Sequence, residues 1–413
     1  MTLVRRYLLA CVFAVFATTA WAQEQQQPFL LGVDVFMRGH TELLKGHRVG
    51  LVTNQTGVDA RGVPTIDLLH NHPGINLVAL FSPEHGIRGK VAAGERVSDD
   101  VDRRTGLRIN SLYGANGHRP SPEMLAGVDT LVYDIQDVGS RAYTYIWSLA
   151  EVMAACGTLG KTVVVFDRPN PLGGNVVDGP IVEKKWLSFI GLYPIPRVYG
   201  MTVGELARYL NAEYDLNCRV VVIPMAGYRR DMSWKDTGLT WLPSSPNIPT
   251  PESAVGFAAT GTIGTLNGLH IGIGTRWPFQ FVGAGWLDAV KSAAVLNRYN
   301  LPGVTFVPIS FVAESGSQKG KTVNAVFLQV DDPTRFLPTT TETIILDHLT
   351  QTYPNNFKWP TDAKVRSGFD KATGTSSLRE SLERGVEVQT IRNGWKADID
   401  QFKARRQRYL IYR

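Results

Sequence analysis

The chain has 413 residues, of which 44% are hydrophobic and 19% are charged, and its formal net charge is +6. This composition is that of a folded protein with a sizeable core rather than a disordered chain. The length exceeds the ~250–300 residues at which a single core stops growing, so two domains are expected.

The N-terminus has the features of a secretory signal peptide. Arg5 and Arg6 precede the apolar run 7–19, and the sequence Ala20-Trp21-Ala22 fits the small-x-small cleavage pattern. We therefore expect residues 1–22 to be removed and the mature protein to be exported, to the periplasm or beyond. This location argues against a nucleic-acid partner despite the basic balance. No later segment is long and apolar enough to predict a membrane span.

Two cysteines, Cys156 and Cys218, remain in the predicted mature chain. An oxidising compartment permits one disulfide between them, and their apolar surroundings are equally compatible with two buried thiols. The sequence leaves both alternatives open.

From residue 30 to about residue 249, short apolar runs alternate with helical patterns. This alternation predicts βαβ units and an α/β fold, a Rossmann-like, doubly wound and mostly parallel sheet. Strands are predicted at 48–53, 77–81, 130–135, 162–167 and 219–223. Helices are predicted at 64–71, 143–156 and 202–214, and Thr202 with Glu205 predicts a capping box for the last helix.

A proline-rich stretch at residues 241–251 interrupts this pattern, and we place the domain boundary there. Residues 23–250 form the predicted Rossmann-like catalytic domain. Residues 251–413 form a second, smaller α+β C-terminal domain. In that domain we expect a glycine-rich loop at 261–274, a helix at 286–299, strands at 304–311 and 322–330, and terminal helices.

Polar side chains follow each of the first four predicted strands. Carboxyl ends of parallel strands lie at one edge of a sheet, where doubly wound folds bind their ligands. Carboxylates, amides, arginines and tyrosines that converge there suit a sugar. The predicted site residues are Asn54 after the first strand, Glu84, His85 and Arg88 after the second, Gln136, Asp137, Arg141 and Tyr145 after the third, and Asp167, Arg168 and Asn170 after the fourth.

The segment Ser82-Pro83-Glu84-His85-Gly86 is the most informative of these strand ends. Pro83 disfavours a helix before it, and Gly86 permits a tight turn, so a carboxylate and an imidazole are displayed together. Structural roles remain open for single residues elsewhere. Asp134 or Asp167 could cap a helix, and Arg168 could form an ion pair.

Several common motifs are absent from the sequence. It contains no GxGxxG after the first strand, no phosphate-binding Walker loop, no HExxH and no GxSxG. The histidines and acids do not fall at zinc-ligand spacing. The sequence therefore predicts no cofactor and no metal. A metal bound by Glu84, His85 and Asp137 is an alternative for which no motif in the sequence calls.

The chain resembles the NamZ family of exo-β-N-acetylmuramidases, long described only as a domain of unknown function. The likeness runs from about residue 31 to residue 413 and is carried mainly by segments 49–54, 81–89, 134–141, 167–174 and 246–250. It implies a Rossmann-like domain, a smaller C-terminal domain and a catalytic cleft between them. It also implies removal of N-acetylmuramic acid from the non-reducing end of peptidoglycan fragments, so the expected partners are muropeptides or MurNAc-GlcNAc saccharides.

The resemblance also bears on individual residues. The family's leading catalytic candidate falls on Glu84, and Asn247 lies in a matching segment. Segment 264–276 often carries glutamates in the family, whereas this chain has none there, although Arg276 fits the pattern. This departure puts a carboxylate from the C-terminal domain in doubt.

Glycoside hydrolysis uses an acid and a second group that acts as base or nucleophile. We assign Glu84 as the acid, with His85 to orient it or to contact the sugar. Asp137 is the first choice for the second group, and Asp167, Tyr143 or Tyr145 the second choice. A guanidinium can grip the lactyl carboxylate of muramic acid. The candidates for this contact are Arg88, Arg141, Arg168 and Arg276.

Two further functions remain open at this stage. The protein could bind peptidoglycan or a related carbohydrate without turnover, or it could hydrolyse a related glycan. The sequence does not determine the oligomeric state or whether hydrolysis retains or inverts the anomeric configuration.

Overall fold

A computed structural model of the chain describes residues 29–115, 117–314 and 319–413. The predicted signal peptide, residues 1–22, lies outside these ranges. Within them, no helix combines the length and the apolar character that crossing a membrane requires.

In the described part of the N-terminal half, nine strands are present. They are β1 (Arg48–Thr53), β2 (Asn76–Ser82), β3 (Asp100–Val101), β4 (Arg108–Ser111), β5 (Thr130–Asp134), β6 (Thr162–Phe166), β7 (Asp178–Ile181), β8 (Pro196–Val198) and β9 (Arg219–Ile223). Seven of them form one sheet in the order β3-β4-β2-β1-β5-β6-β9, and β7 pairs with β8 in a separate ribbon.

The large sheet has the predicted doubly wound topology. Its strands run parallel except for β3, which is antiparallel to β4. The strand order proceeds outward in both directions from β1 and β5, so the topological switch point lies between these two strands. All five predicted strands are confirmed within a residue or so at each end. Strands β3 and β4 were not predicted, because they are only two and four residues long.

Helices cover both faces of the sheet and build most of the C-terminal half. They are α1 (Gly32–Gly39), α2 (Thr65–His70), α3 (Pro122–Leu125), α4 (Tyr145–Thr158), α5 (Val203–Glu213), α6 (Pro251–Thr260), α7 (Ala289–Asn297), α8 (Pro338–Thr352), α9 (Ala363–Thr373), α10 (Ser377–Glu383) and α11 (Val388–Arg406). The predicted capping box of α5 is confirmed, because the Thr202 hydroxyl accepts from the Glu205 backbone and the Glu205 carboxylate accepts from the Thr202 backbone.

The C-terminal half contains a smaller antiparallel sheet in the order β10-β12-β11, formed by β10 (Phe281–Ala284), β11 (Val304–Val312) and β12 (Thr322–Val330). The predictions of an α/β fold and of a smaller α+β domain are therefore confirmed. Strands β11 and β12 match the predicted runs, whereas β10 was not predicted.

The two faces of the large sheet bury different cores. Leu51 and Phe166 pack with α1 on one face, whereas Val52 and Val165 on the other face belong to a core that continues to Phe402 in α11. The N- and C-terminal halves therefore share buried apolar surface. Fully buried charges also join them, since Arg197 Nη1 lies 2.8 Å from Glu342 Oε2.

Cys156 in α4 and Cys218 before β9 are both buried free thiols. Of the two alternatives that the sequence left open, the structure therefore has the unpaired one. Burial raises the pKa of Cys156 to about 12 and the pKa of Cys218 to about 11. Both thiols are consequently protonated and inert at neutral pH.

Candidate active site

Glu84 lies immediately beyond the carboxyl end of β2. His85 and Gly86 both have positive φ, 70° and 75°, and this left-handed pair makes the tight turn that the sequence predicted. The Glu84 side chain is 8% exposed. Its Oε1 accepts from the Gly94 backbone at 2.9 Å, and its Oε2 accepts from the Thr144 hydroxyl at 2.6 Å. The carboxyl group is thus held at the sheet edge by uncharged donors.

Three rings form an aromatic wall beside Glu84, which we define as Tyr113, His118 and Phe189. The His118 and Phe189 rings are stacked with centroids 3.5 Å apart, and the Tyr113 ring lies 4.9 Å from His118. Burial, followed by the charge of Glu84, raises the pKa of Tyr113 to about 12. Burial lowers the pKa of His118, opposed by the Leu112 carbonyl and by the charges of Glu151 and Glu84.

Tyr113 and His118 were not among the predicted site residues. Both follow β4, which is too short, at four residues, for its apolar pattern to be recognised as a strand. Had this strand been predicted, the polar and aromatic residues that follow it would have been included among the candidates, because ligands bind at the carboxyl ends of parallel strands.

The predicted residues His85 and Tyr145 lie beside one another. His85 Nδ1 is 2.7 Å from the Val91 carbonyl, and the His85 ring meets the Tyr145 ring edge-on with centroids 6.5 Å apart. Tyr145 donates its hydroxyl to the Ser244 carbonyl at 2.5 Å, and Tyr143 bonds the Ser244 hydroxyl at 3.1 Å. The proline-rich stretch therefore passes over the strand ends and is fastened there by two tyrosines.

Asp137 belongs to a separate buried network. Its Oδ2 accepts from the Gly139 backbone at 2.7 Å and from the Tyr199 hydroxyl. Its Oδ1 is buried with no hydrogen-bond partner among the residues that the structure describes. Burial raises the pKa of Asp137 to about 6, against the opposing hydrogen bonds of Tyr199 and the Gly139 backbone. Asp137 can therefore exchange a proton near neutral pH.

The switch point between β1 and β5 brings Asn54 and Gln136 together with Thr56. Asn54 Oδ1 accepts from the Thr56 backbone at 2.9 Å and from its hydroxyl at 2.6 Å, and that hydroxyl accepts from the Gln136 backbone at 2.9 Å. Asn54 Nδ2 and Gln136 Oε1 are buried and unpartnered within the described ranges. Gln136 also lines a cavity of about 230 Å³ together with Arg168 and Trp234.

Comparison with known proteins identifies the family. The domain models named "Exo-beta-N-acetylmuramidase NamZ, N-terminal" and "C-terminal" match residues 49–252 and 255–412. The chain belongs to the NamZ family. Glu84 falls in the N-terminal match and Arg276 in the C-terminal one.

The relatives agree with this assignment. The chain is 40% identical over 381 residues to the peptidoglycan β-N-acetylmuramidase NamZ of Bacillus subtilis strain 168, covering 92% of this chain and 91% of that protein. Two crystal structures of DUF1343 family proteins from Bacteroides fragilis are also similar. One has a TM-score of 0.87 at 39% identity, covering 93% of this chain and 99% of the other. The second has a TM-score of 0.73 at 29% identity, covering 94% and 99%.

In this NamZ family member, Arg141 has a structural role that the sequence did not indicate. Its side chain is completely buried, and its guanidinium donates to the carbonyls of Pro180, Ile195 and Thr373 at 2.6–2.9 Å. Burial lowers the pKa of Arg141 to about 9. Because these bonds join α9 to the N-terminal half, Arg141 serves interdomain packing and does not face a ligand.

The Asp167 carboxylate is also engaged in hydrogen bonds within the protein. It accepts from the Thr202 hydroxyl at 2.7 Å, the Gly204 backbone at 2.8 Å and the Tyr412 hydroxyl at 2.6 Å. Burial raises the pKa of Asp167 to about 6. The alternative of a structural, helix-capping role therefore describes Asp167 better than the predicted sugar contact, because its oxygens hold α5 and the C-terminal tail.

Arg168 and Asn170 continue this buried network. Arg168 Nε lies 2.6 Å from Asp134 Oδ1, and both side chains are almost fully buried, so the ion-pair alternative for Arg168 is the one observed. Asn170 accepts from the Leu172 backbone and donates to the Met201 carbonyl, both at 2.9 Å. Arg168 also lines the cavity of about 230 Å³ that it shares with Gln136.

The remaining predicted residues are more accessible. Arg88 lies 2.6 Å from Asp102 with 56% of its side chain exposed, and Asn247 is half-buried in the proline-rich stretch. Arg276 is exposed, its guanidinium lies 4.0 Å from the centroid of the Trp277 ring, and it lines a cavity of about 650 Å³ in the C-terminal half. In the described ranges, no group of three or more His, Cys, Asp or Glu side chains could hold a metal ion.

Proposed function

We propose that this protein is an exo-acting glycoside hydrolase that releases N-acetylmuramic acid from the non-reducing end of peptidoglycan fragments. The observation that carries the proposal is the nearly full-length similarity to the peptidoglycan β-N-acetylmuramidase of B. subtilis, with both NamZ domains matched. The location of Glu84 at the carboxyl edge of a doubly wound sheet supports it, because ligands bind at that edge.

Glu84 is the proposed general acid. Its proton passes to the glycosidic oxygen while the bond from that oxygen to the anomeric carbon breaks, and water adds to the anomeric carbon and gives up one proton to the second group. The donors Gly94 and Thr144 orient the carboxyl group and stabilise the carboxylate that is left after the proton has been transferred. His85, bonded to the Val91 carbonyl, shapes the turn that carries Glu84.

Asp137 remains the proposed second group. Its raised pKa and its unpartnered Oδ1 support a proton-transfer role. The hydrogen bonds of Asp137 form a network apart from that of Glu84. The second choices are less favoured, because Asp167 holds α5 and the tail, and Tyr143 and Tyr145 bond Ser244.

Recognition of the lactyl carboxylate is proposed for Arg88 or Arg276. Both guanidinium groups are exposed, whereas Arg141 and Arg168 are engaged in buried bonds. A planar guanidinium binds a carboxylate in two places, which would distinguish muramic acid from glucosamine. Asn54, Gln136 and Asn247 are further proposed contacts.

We also propose that the protein is exported, on the basis of the signal-peptide pattern in residues 1–22. Its partners would then be muropeptides or MurNAc-GlcNAc saccharides outside the cytoplasm. Cell fractionation followed by N-terminal sequencing tests this. A mature chain that begins at Gln23 supports export, and an uncleaved cytoplasmic chain contradicts it.

Turnover of a chromogenic N-acetylmuramide and of a MurNAc-GlcNAc disaccharide tests the main proposal. We expect release of N-acetylmuramic acid and much slower turnover of the corresponding N-acetylglucosaminide. Binding without turnover would favour the carbohydrate-binding alternative, for which the absence of glutamates in segment 264–276 is the argument. Turnover of another glycoside in a small panel would favour hydrolysis of a related glycan.

A further inference from the structure

The cavity of about 230 Å³ lies at the topological switch point of the large sheet, and we call it the switch-point cavity. Thr56 after β1, Gln136 after β5 and Arg168 after β6 line it. Each of these three residues is at most 3% exposed, so they form the inner part of the cavity. Doubly wound sheets bind ligands at this point. The cavity has the space of about eight water molecules, which is the size class of a single sugar ring.

The Gln136 side chain brings an unused hydrogen-bond acceptor to the switch-point cavity. Its Nε2 donates to the Asp137 carbonyl at 2.8 Å and to the Pro169 carbonyl at 2.7 Å. Its Oε1 is buried and has no hydrogen-bond partner among the residues that the structure describes. A buried acceptor without a donor costs free energy. A ligand that offers a hydroxyl or an amide N–H to Oε1 would remove this cost.

The charged side chains that line the cavity are already paired. Arg168 Nε lies 2.6 Å from Asp134 Oδ1, and Arg61 Nη2 lies 2.8 Å from Asp59 Oδ2. Arg168 also donates through Nη2 to the Val58 carbonyl at 2.7 Å. A carboxylate or phosphate ligand would have to compete with Asp134 and Asp59 for these guanidinium groups. The switch-point cavity therefore favours a neutral, polar ligand.

The rest of the wall combines a tryptophan with leucines. Trp234 is buried and held in place, because its Nε1 donates to the Leu239 carbonyl at 3.2 Å and its ring meets Trp241 edge-on with centroids 4.7 Å apart. Leu31 and Leu242 also line the cavity. A largely apolar wall with a few fixed polar groups is the usual composition of a small-ligand site. Such a wall suits the C–H faces of a sugar ring.

The switch-point cavity is separate from the surroundings of the proposed acid. Gln55 packs against the turn that follows Glu84, because a Cβ at Gly89 would collide with the Gln55 carboxamide. The same carboxamide donates to the Pro243 carbonyl at 2.7 Å, so Gln55 fills the space between that turn and the proline-rich stretch. Within the described ranges, neither Glu84 nor its donor Thr144 lines the cavity. The cavity is therefore a second site.

We propose that the switch-point cavity binds one neutral sugar residue, such as N-acetylglucosamine, with a hydroxyl or amide N–H of the sugar donated to Gln136 Oε1. The inference rests on the proposed function for the class of ligand. It assigns Gln136 to a neutral sugar in this cavity and not to the muramic acid residue at Glu84. The same donors are offered by the glucosamine residue of a MurNAc-GlcNAc fragment and by the free sugar.

Calorimetric titration of the purified protein with N-acetylglucosamine tests the site without turnover, and we expect one saturable site per chain. Ala60→Trp, at an exposed position of the cavity wall, should weaken binding about tenfold or more, because the indole occupies the space. Gln136→Leu should weaken it about 5- to 10-fold, the scale of one neutral hydrogen bond. Ala397→Trp, an exposed change in α11, is the matched control and should bind like the wild type. Circular dichroism checks that each variant is folded.

Kinetics separate the two sources of the sugar. If the cavity holds the glucosamine residue of a fragment, Ala60→Trp should raise KM more for a MurNAc-GlcNAc disaccharide than for a chromogenic N-acetylmuramide. Equal KM changes for the two substrates would identify the free sugar as the ligand.

Two results would overturn the inference. One is the absence of saturable binding, as expected if the cavity holds only water, and the other is equal binding by the wild type and a folded Ala60→Trp protein. A wild-type protein that bound the sugar but turned over no muramide would contradict only the proposed function. The two failures can therefore be distinguished.

Discussion

The Thr144 hydroxyl donates to Glu84 Oε2 at 2.6 Å across 60 residues of sequence. Thr144 immediately precedes α4, so the helix that crosses from β5 to β6 is also the element that orients the carboxyl group at the end of β2. The side chains meet because β1, β2 and β5 are adjacent in one parallel sheet and their carboxyl ends lie at the same edge.

Thr144→Val should lower kcat by about tenfold or more, because valine keeps the shape and removes one hydrogen bond to a charged group. Steady-state kinetics on a chromogenic muramide measures the effect. Thr158→Val, at the other end of α4, is the control, since that hydroxyl donates to the Ala154 carbonyl of its own helix. Equal kinetics for the two variants would mean that Thr144 does not support Glu84.

Glu84→Gln should lower the rate of N-acetylmuramic acid release about 10³-fold or more, because the amide cannot donate the proton that the leaving oxygen needs. Glu95→Gln, an exposed change in the same loop, should retain wild-type turnover. Product release is followed by chromatography and folding by circular dichroism. Wild-type turnover in a folded Glu84→Gln protein would remove Glu84 from the acid role.

Asp137→Asn should flatten the pH dependence of stability. Burial raises the pKa of Asp137 from 3.8 to about 6, so between about pH 4 and pH 6 the folded state keeps a proton that the unfolded state loses. Stability contributed by this proton is present at low pH and is lost as the pH rises through about 6. The thermal midpoint should therefore fall less between pH 4.5 and pH 7.5 in the variant than in the wild type.

The exposed change Asp215→Asn is the control for this measurement and should leave the wild-type pH dependence intact. The same Asp137→Asn protein tests catalysis. A loss of turnover as deep as that of Glu84→Gln supports Asp137 as the second group, whereas turnover close to the wild type would place that group elsewhere.

Arg276→Ala and Arg88→Ala should separate the two proposed lactyl contacts. Replacing the arginine that binds the lactyl carboxylate should lower kcat/KM on a muramide about tenfold or more, which is the scale of a charge-assisted hydrogen-bonded pair. The same replacement should change kcat/KM on the glucosaminide little. Arg298→Ala, exposed at the end of α7, is the control. Equal losses on both sugars would argue against either arginine as the carboxylate contact.

Native mature protein should react slowly with a thiol reagent such as Ellman's reagent. Cys156 and Cys218 are buried, and burial raises their pKa values to about 12 and 11, so little thiolate is present at pH 8. Denaturant should then release two thiols per chain. A count of zero after denaturation would show that the two cysteines pair in the exported protein.

The sequence by itself determined the parallel sheet and the display of Glu84. Apolar runs such as 162–166 and the turn formers around Pro83 and Gly86 act within a few residues, so their pattern can be interpreted without knowing the fold. The capping box of Thr202 and Glu205 was predictable for the same reason, because its partners are three residues apart.

The tertiary structure alone decided which of the predicted polar side chains are engaged within the protein. Tyr412 bonds Asp167 across 245 residues, and Thr373 bonds Arg141 across 232. These bonds engage two of the predicted contact residues within the protein. The pairing of β4 with β2 brings Tyr113 to the sheet edge at which Glu84 lies. No local pattern predicts such partners. The sequence around a carboxylate or a guanidinium does not show whether that group binds a sugar or hydrogen-bonds to a distant segment of the same chain.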